Sequence, residues 1–185
     1  MSIPLRNTSN CYGLISQLFH WLVVLLILMQ YAWAWRIDNA EGFRLRLELV
    51  TQHKTIGMAV LSLAILRLLW RLFNRPPALP GGMKGWELLL AKAGHWILYG
   101  LIFAMPLTGW LYSSAAGLGD FWWGPFNFPS LVDPGERLED LFGVMHQWLA
   151  VSLAGMAGIH VLAALRHQFV LKDGLMKRML PIWRK

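Results

Sequence analysis

The chain has 185 residues, 56% of them hydrophobic and 15% charged, with 11 Trp, six His, one Cys and a formal net charge of +7. Soluble domains carry about 45–50% apolar and about 25% charged residues, so this composition leans toward a membrane protein and excludes disorder. The single Cys11 excludes an internal disulfide, a CxxC zinc knuckle and covalent CxxCH haem attachment, and the basic balance, lacking any separate Lys/Arg block or recognition motif, points to no nucleic acid partner.

Crossing the hydrocarbon core takes about 20 mostly apolar residues in a helix, because only a helix satisfies its own backbone polar groups there. Four segments qualify. The first covers residues 14–35 and is interrupted only by Ser16, Gln17, His20 and Gln30. Its Ala32, Trp33 and Ala34 imitate a signal-peptidase site, but the apolar run before them is too long for a signal peptide and Trp33 and Trp35 hem the site. The second, 49–73, has a clean apolar stretch from Gly57 to Leu66, followed by Arg67 and Arg71. The third, 93–112, contains Pro106, which is expected to bend it because the ring removes one intrahelical hydrogen bond. The fourth covers 141–165. With no internal repeat or low-complexity tract, the expectation is one all-α transmembrane domain over 1–185, an integral membrane four-helix bundle in lipid.

Orientation follows from Lys and Arg, which collect in short cytoplasmic loops. The segment between spans two and three, with its flanks, holds Arg67, Arg71, Arg75, Lys84 and Lys92 against Glu87. The tail holds Arg166, Lys172, Lys177, Arg178, Arg184 and Lys185 against Asp173. Between spans three and four stand Asp120, Asp133, Glu136, Glu139 and Asp140 against Arg137, so both termini are expected to be cytoplasmic. The loop between spans one and two departs from the bias, with Arg36, Arg44, Arg46 and Lys54 against Asp38, Glu41 and Glu48. Trp33, Trp35, Trp70, Trp86, Trp96, Trp110, Trp122 and Trp123 near span ends form an interfacial belt.

Ionisable residues inside spans are costly and usually face a partner. Singly, His20, His53, His95, His146 and His160 each read as hydrogen-bonded structural residues. Their spacing adds to this. His146 and His160 lie 14 residues apart, close to four turns of about 3.6 residues, which places them on one helix face about 21 Å apart along the axis. Two flat cofactors stacked across a bilayer require that arrangement, whereas a zinc site needs every ligand within about 2–2.3 Å of one metal. Depth pairs His20 with His160 on the cytoplasmic side and His53 with His146 on the outer side. Each pair can hold one haem iron through neutral imidazole nitrogens. Gly57 and Gly143, one turn from His53 and His146, suit either a close porphyrin edge or helix packing. Arg67, 14 residues past His53, falls on the same face at the cytoplasmic depth. There its fork suits a haem propionate, the alternative being a snorkelling residue at the membrane edge, the role that fits Arg71 and Arg75.

Several motifs stand along the chain: HW at His20 and Trp21, HKTIG from His53, RLLWRL from Arg67 with Pro76 and Pro77 beyond, GHWILYGLIFAMPLTG, WGPFNFP, and MHQWLAVSLAGMAGIHVLAALRHQFVLKDGLMKRMLP. Together they resemble the bacterial cytochrome b561 family, small multi-pass di-haem proteins of the inner membrane. The resemblance implies two haem b, with His20 and His160 and then His53 and His146 as the axial iron ligands. It also implies ubiquinone as electron acceptor near His95 and His167. His95 opens span three, and His167 lies two turns past His160, about 10 Å nearer the cytoplasm. Their structural alternatives are a helix-bridging hydrogen bond for His95 and plain solvation for His167.

The family includes superoxide:ubiquinone oxidoreductases, and the outer cations Arg36, Arg44, Arg46 and Lys54 suit a small anionic donor. Asp38, Glu41 and Glu48 oppose them. The expected function is therefore that of an oxidoreductase moving electrons from a periplasmic donor, through the Trp-rich loop around residues 121–128, to membrane quinone. The alternatives are a cytochrome b anchor subunit linking a partner dehydrogenase to the quinone pool, and a haem-free membrane transport or assembly protein.

Overall fold

The computed structural model describes residues 4–78, 82–119, 121–123 and 125–180, with the side chains of 121–123 left aside. Asp120, Gly124, Pro181, Arg184 and Lys185, which entered the sequence reading, lie outside the described residues. Four long helices dominate: α1 (Leu14–Asp38), α2 (Phe43–Phe73), α3 (Gly85–Ala115) and α4 (Glu136–Arg166). All four are long and apolar enough to cross a membrane. The protein is an all-α membrane four-helix bundle, with a short antiparallel hairpin, β1 (Phe121–Trp123) and β2 (Phe126–Phe128), between α3 and α4.

The helices outrun the apolar stretches that announce them. α2 begins six residues before position 49, α3 eight before 93 and α4 five before 141. Hydropathy marks the length in hydrocarbon, whereas capping marks the end of the helix, and the extra turns carry polar residues that hydropathy passes over. The Gly42 carbonyl accepts from Arg46 N at 3.2 Å, opening α2. Glu87 Oε2 accepts from Lys84 N at 3.1 Å, one half of a capping box at the start of α3. The Gly135 carbonyl accepts from Leu138 and Glu139, and Glu136 and Glu139 sit favourably in the first turn of α4. Helix α3 runs through Pro106 without interruption.

Large apolar side chains face outward, among them Leu28 at 63% exposure and Trp148 and Leu162 at 67%. In water that surface is untenable, but in lipid it is the solvated face.

The chain divides into two compact units. One is drawn from Met1–Val24, Leu63–Tyr99 and Ala154–Lys185, so every helix contributes a segment. In it the start of α1 is tied to the end of α2: Asn7 Oδ1 accepts from Gly13 N at 2.9 Å and from Ser16 Oγ at 2.8 Å, Asn7 Nδ2 donates to the Asn74 carbonyl at 3.1 Å, and Trp70 Nε1 donates to Ser16 Oγ at 3.0 Å. Gly13 is required there, because a Cβ would stand 2.4 Å from the Arg6 carbonyl carbon. The other unit is Leu25–Ser62 with Gly100–Leu153. In it Tyr31 donates to the Ala150 carbonyl at 2.6 Å, Trp33 Nε1 to Gln52 Oε1 at 2.8 Å, and Trp110 Nε1 to the Pro129 carbonyl at 2.9 Å.

Candidate haem and quinone sites

In the second unit, α2 carries His53 and α4 carries His146, and their ring centres stand 6.3 Å apart with planes at 81°. His146 Nδ1 lies 3.1 Å from the Met105 carbonyl and 3.2 Å from Thr108 Oγ1. A carbonyl only accepts, so Nδ1 carries the proton and Nε2 keeps its lone pair, the tautomer a metal ligand requires. His53 Nδ1 is buried with no hydrogen-bond partner among the described residues. A cavity of about 390 Å³ opens beside both rings, lined largely by apolar side chains, with Gln30, Lys54, Arg46, Asp38 and Glu139 among its polar members.

Glycine permits this packing at a position that sequence reasoning missed. A Cβ on Gly109 would lie 2.9 Å from His146 Cε1. The signal was present as the PLTG run inside the third span, one turn after Met105. Gly57 and Gly143, by contrast, would bring a Cβ against Gln30 Nε2 at 3.0 Å and Tyr112 Cε2 at 3.3 Å, which is the helix-packing alternative.

In the first unit, His20 of α1 faces His160 of α4 with ring centres 6.4 Å apart and planes at 69°. His95 of α3 joins them, 5.5 Å from His160. His20 Nδ1 is buried and has no hydrogen-bond partner among the described residues. Trp21 Nε1 donates to the Met179 carbonyl at 2.9 Å, and Gln17 Nε2 donates to the Tyr12 and Arg178 carbonyls at 3.0 and 3.2 Å, so this end of α1 is held by the C-terminal tail. On α2, the guanidinium carbons of Arg67 and Arg71 both lie 5.5 Å from the Tyr99 ring centre, and that of Arg71 lies 5.9 Å from the Trp96 ring centre. Neither is in an ion pair among the described residues. Arg71 is thus stacked on aromatic rings beside Arg67, where hydropathy alone assigned it to the membrane edge. His167, just past α4, is 9% exposed and paired with Asp173. Among the described residues no cluster of three or more His, Cys, Asp or Glu has the closeness of a metal site.

Residues 11–181 match the family model described as prokaryotic cytochrome b561. The chain belongs to this family. Cytochrome b561 homolog 2 of Escherichia coli strain K12 is 33% identical over 177 residues, 94% of this chain and 93% of that protein. A probable superoxide oxidase, CybB, of Yersinia pestis is 33% identical over 172 residues, 88% of this chain and 91% of that protein. Cytochrome b561 homolog 1 of Escherichia coli strain K12 is 26% identical over 166 residues, 88% and 92%. As a cytochrome b561 the chain is a multi-pass bacterial membrane electron-transfer protein of a haem b family.

The residues present fit that group. An imidazole nitrogen bonds a metal at about 2.0–2.1 Å and lies about 1.1 Å from its own ring centre, so two rings facing one metal stand with centres about 6.3 Å apart. The separations of 6.3 and 6.4 Å match this. The buried, unpartnered nitrogens of His20 and His53 mark polar atoms that side-chain packing alone does not account for.

Proposed function

We propose that this cytochrome b561 is a di-haem superoxide:ubiquinone oxidoreductase of the bacterial inner membrane, a single transmembrane domain with both termini cytoplasmic. The observation that carries the reading is the two facing imidazole pairs at 6.3 and 6.4 Å. His20 with His160, and His53 with His146, would hold two haem b. Each haem when bound would supply a one-electron carrier.

The chain's own residues do the rest. Met105 holds His146 in its ligating tautomer through the Nδ1–H hydrogen bond. Arg67 offers a guanidinium fork, uncommitted to any carboxylate among the described residues, to a propionate. Arg46 and Lys54 at the outer cavity attract a small anion, and Lys54 Nζ is steadied by donating to the Leu118 carbonyl. His95 and His167 serve the quinone on the inner side. Two superoxide anions are oxidised to two dioxygen molecules, and one quinone takes up the two electrons and two protons to become quinol.

Stopped-flow mixing of superoxide with the oxidised, haem-loaded protein and a short-chain ubiquinone tests the reading. Quinol should form in step with superoxide loss. Consumption no faster than spontaneous dismutation, in a protein that still shows two low-spin b haems, would make the donor something else and favour the anchor of a partner dehydrogenase. A purified chain without haem absorption would instead return it to membrane transport or assembly.

A further inference from the structure

Helix α4 gives way at His167 to a single π-helical turn, His167–Leu171, and Lys172 then adopts a left-handed backbone with φ 52°. On an unbroken α-helix a residue six positions beyond His167 is rotated by about 240° and carried about 9 Å along the axis, out of reach. The widened turn and the left-handed Lys172 bring the chain back, so that Asp173 Oδ2 lies 2.5 Å from His167 Nδ1. Leu175 N donates to the other carboxylate oxygen, Oδ1, at 3.0 Å and fixes its orientation. Lys172 is the one non-glycine residue with positive φ among the described residues, and both π-turns and such strained positions concentrate at functional sites.

We infer that Asp173 is a positioning residue that holds His167 as the proton carrier for the quinone, an inference that rests on the reading of His167 as a quinone residue. A carboxylate only accepts, so Nδ1 of His167 keeps its proton, and Nε2 has no hydrogen-bond partner among the described residues. The charges around the pair are Arg166, bridged to Glu87 of α3 at 3.5 Å, Lys172 and Lys177 of the tail, and Arg178, whose Nη1 donates to the Ala78 carbonyl at 2.6 Å. In the transfer the Nε2–H bond breaks and an O–H bond forms on a quinone carbonyl oxygen. The neutral ring keeps Nδ1–H on Asp173 and regains its Nε2 proton from water, which supplies the second proton by the same route. The two electrons come from the one-electron donor, superoxide, oxidised to dioxygen.

The test uses the full-length, haem-loaded protein reduced beforehand and mixed with a short-chain ubiquinone. Asp173→Asn should slow quinone reduction by about tenfold or more, a part of the roughly 10²–10⁴-fold that a positioned acid–base group contributes. It should leave haem content and spectra unchanged, and Asp173→Glu should restore most of the rate. If His167→Gln is slow but Asp173→Asn runs at the original rate, the positioning role is overturned and the quinone role of His167 stands. If both run at the original rate, the quinone role itself fails. Equal slowing in Asp173→Asn and Asp173→Glu, or haem loss in both, would make Asp173 a tail staple only and overturn the inference.

Discussion

At the scale of single residues, the pair of His53 and His146 is set by what stands behind it as much as by the histidines. A methyl group at position 109 would meet His146 Cε1 at 2.9 Å, and that ring is held in place by its Nδ1 hydrogen bond to the Met105 carbonyl. Gly109→Ala should therefore expel or weaken the haem proposed for His53 and His146 while sparing the one proposed for His20 and His160, read as a haem-to-protein ratio near one by pyridine haemochrome. Gly57→Ala meets only the flexible end of Gln30 and should keep both. The ligand variants make the companion prediction: alanine at His20 or His160 removes one haem, alanine at His53 or His146 removes the other, and two haems retained in any of the four would show the pairing to be wrong. His95 is the discriminating control, because its ring centre lies 5.5 Å from His160, closer than the separation of about 6.3 Å for rings on opposite sides of one metal. His95→Gln should keep both haems and slow quinone reduction.

Elements are bounded by capping and backbone chemistry that an apolar count does not register. Gly13→Ala should lower the thermal midpoint, at a cost of about 1–3 kcal/mol, because the start of α1 would have to move off the backbone of Leu5 and Arg6. The turn after α4 carries a pH signature. Burial pushes the Asp173 carboxyl up, but the Leu175 amide, the His167 hydrogen bond and the positive charge of Arg178 together hold it below its ordinary value of 3.8. A depressed carboxyl stabilises the folded tail at pH above that ordinary value, and the contribution is lost as pH falls through the lower folded value. Hydrogen exchange at the Leu175 amide, corrected for the intrinsic rate, should thus stay protected from pH 7 down to 3.8 and lose protection only below it. Protection lost already near neutral pH would mean the carboxylate does not hold this turn. The four apolar cores of the helices were legible in the sequence, since hydrocarbon length is a property of consecutive residues. The extra turns were not, since they depend on Gly42, Glu87 and Gly135 closing the first hydrogen bonds.

For the whole molecule the proposed function turns on how the cavity beside His53 and His146 treats an anion. Arg46 and Lys54 line it, but so do Asp38 and Glu139, so the local field is close to balanced. The superoxide rate should accordingly fall only about two- to threefold as salt rises from low to about 0.1 M, where charges more than about 10 Å apart are screened. Replacing Asp38 by Asn and Glu139 by Gln should raise the rate and steepen that salt dependence. Replacing Arg46 and Lys54 by Gln should lower and flatten it, with haem content unchanged in both. A rate indifferent to all four charges would remove electrostatic capture from the outer site.

The sequence by itself determined the membrane class and the four spans, because each depends on composition or on consecutive residues, and its motifs carried the family resemblance. Only the tertiary structure decided which atoms meet. His146 Nδ1 reaches Met105 across α3 and α4, Arg71 stacks on Tyr99 and Trp96 of α3, and Gly109 lies under an imidazole 37 residues away in the chain. Asp173 meets His167 through a local departure from helical geometry that no periodicity announces. Contacts between helices depend on rotation and tilt, and these are set by side-chain packing over the whole bundle, so a one-dimensional pattern names the participants and leaves their geometry open.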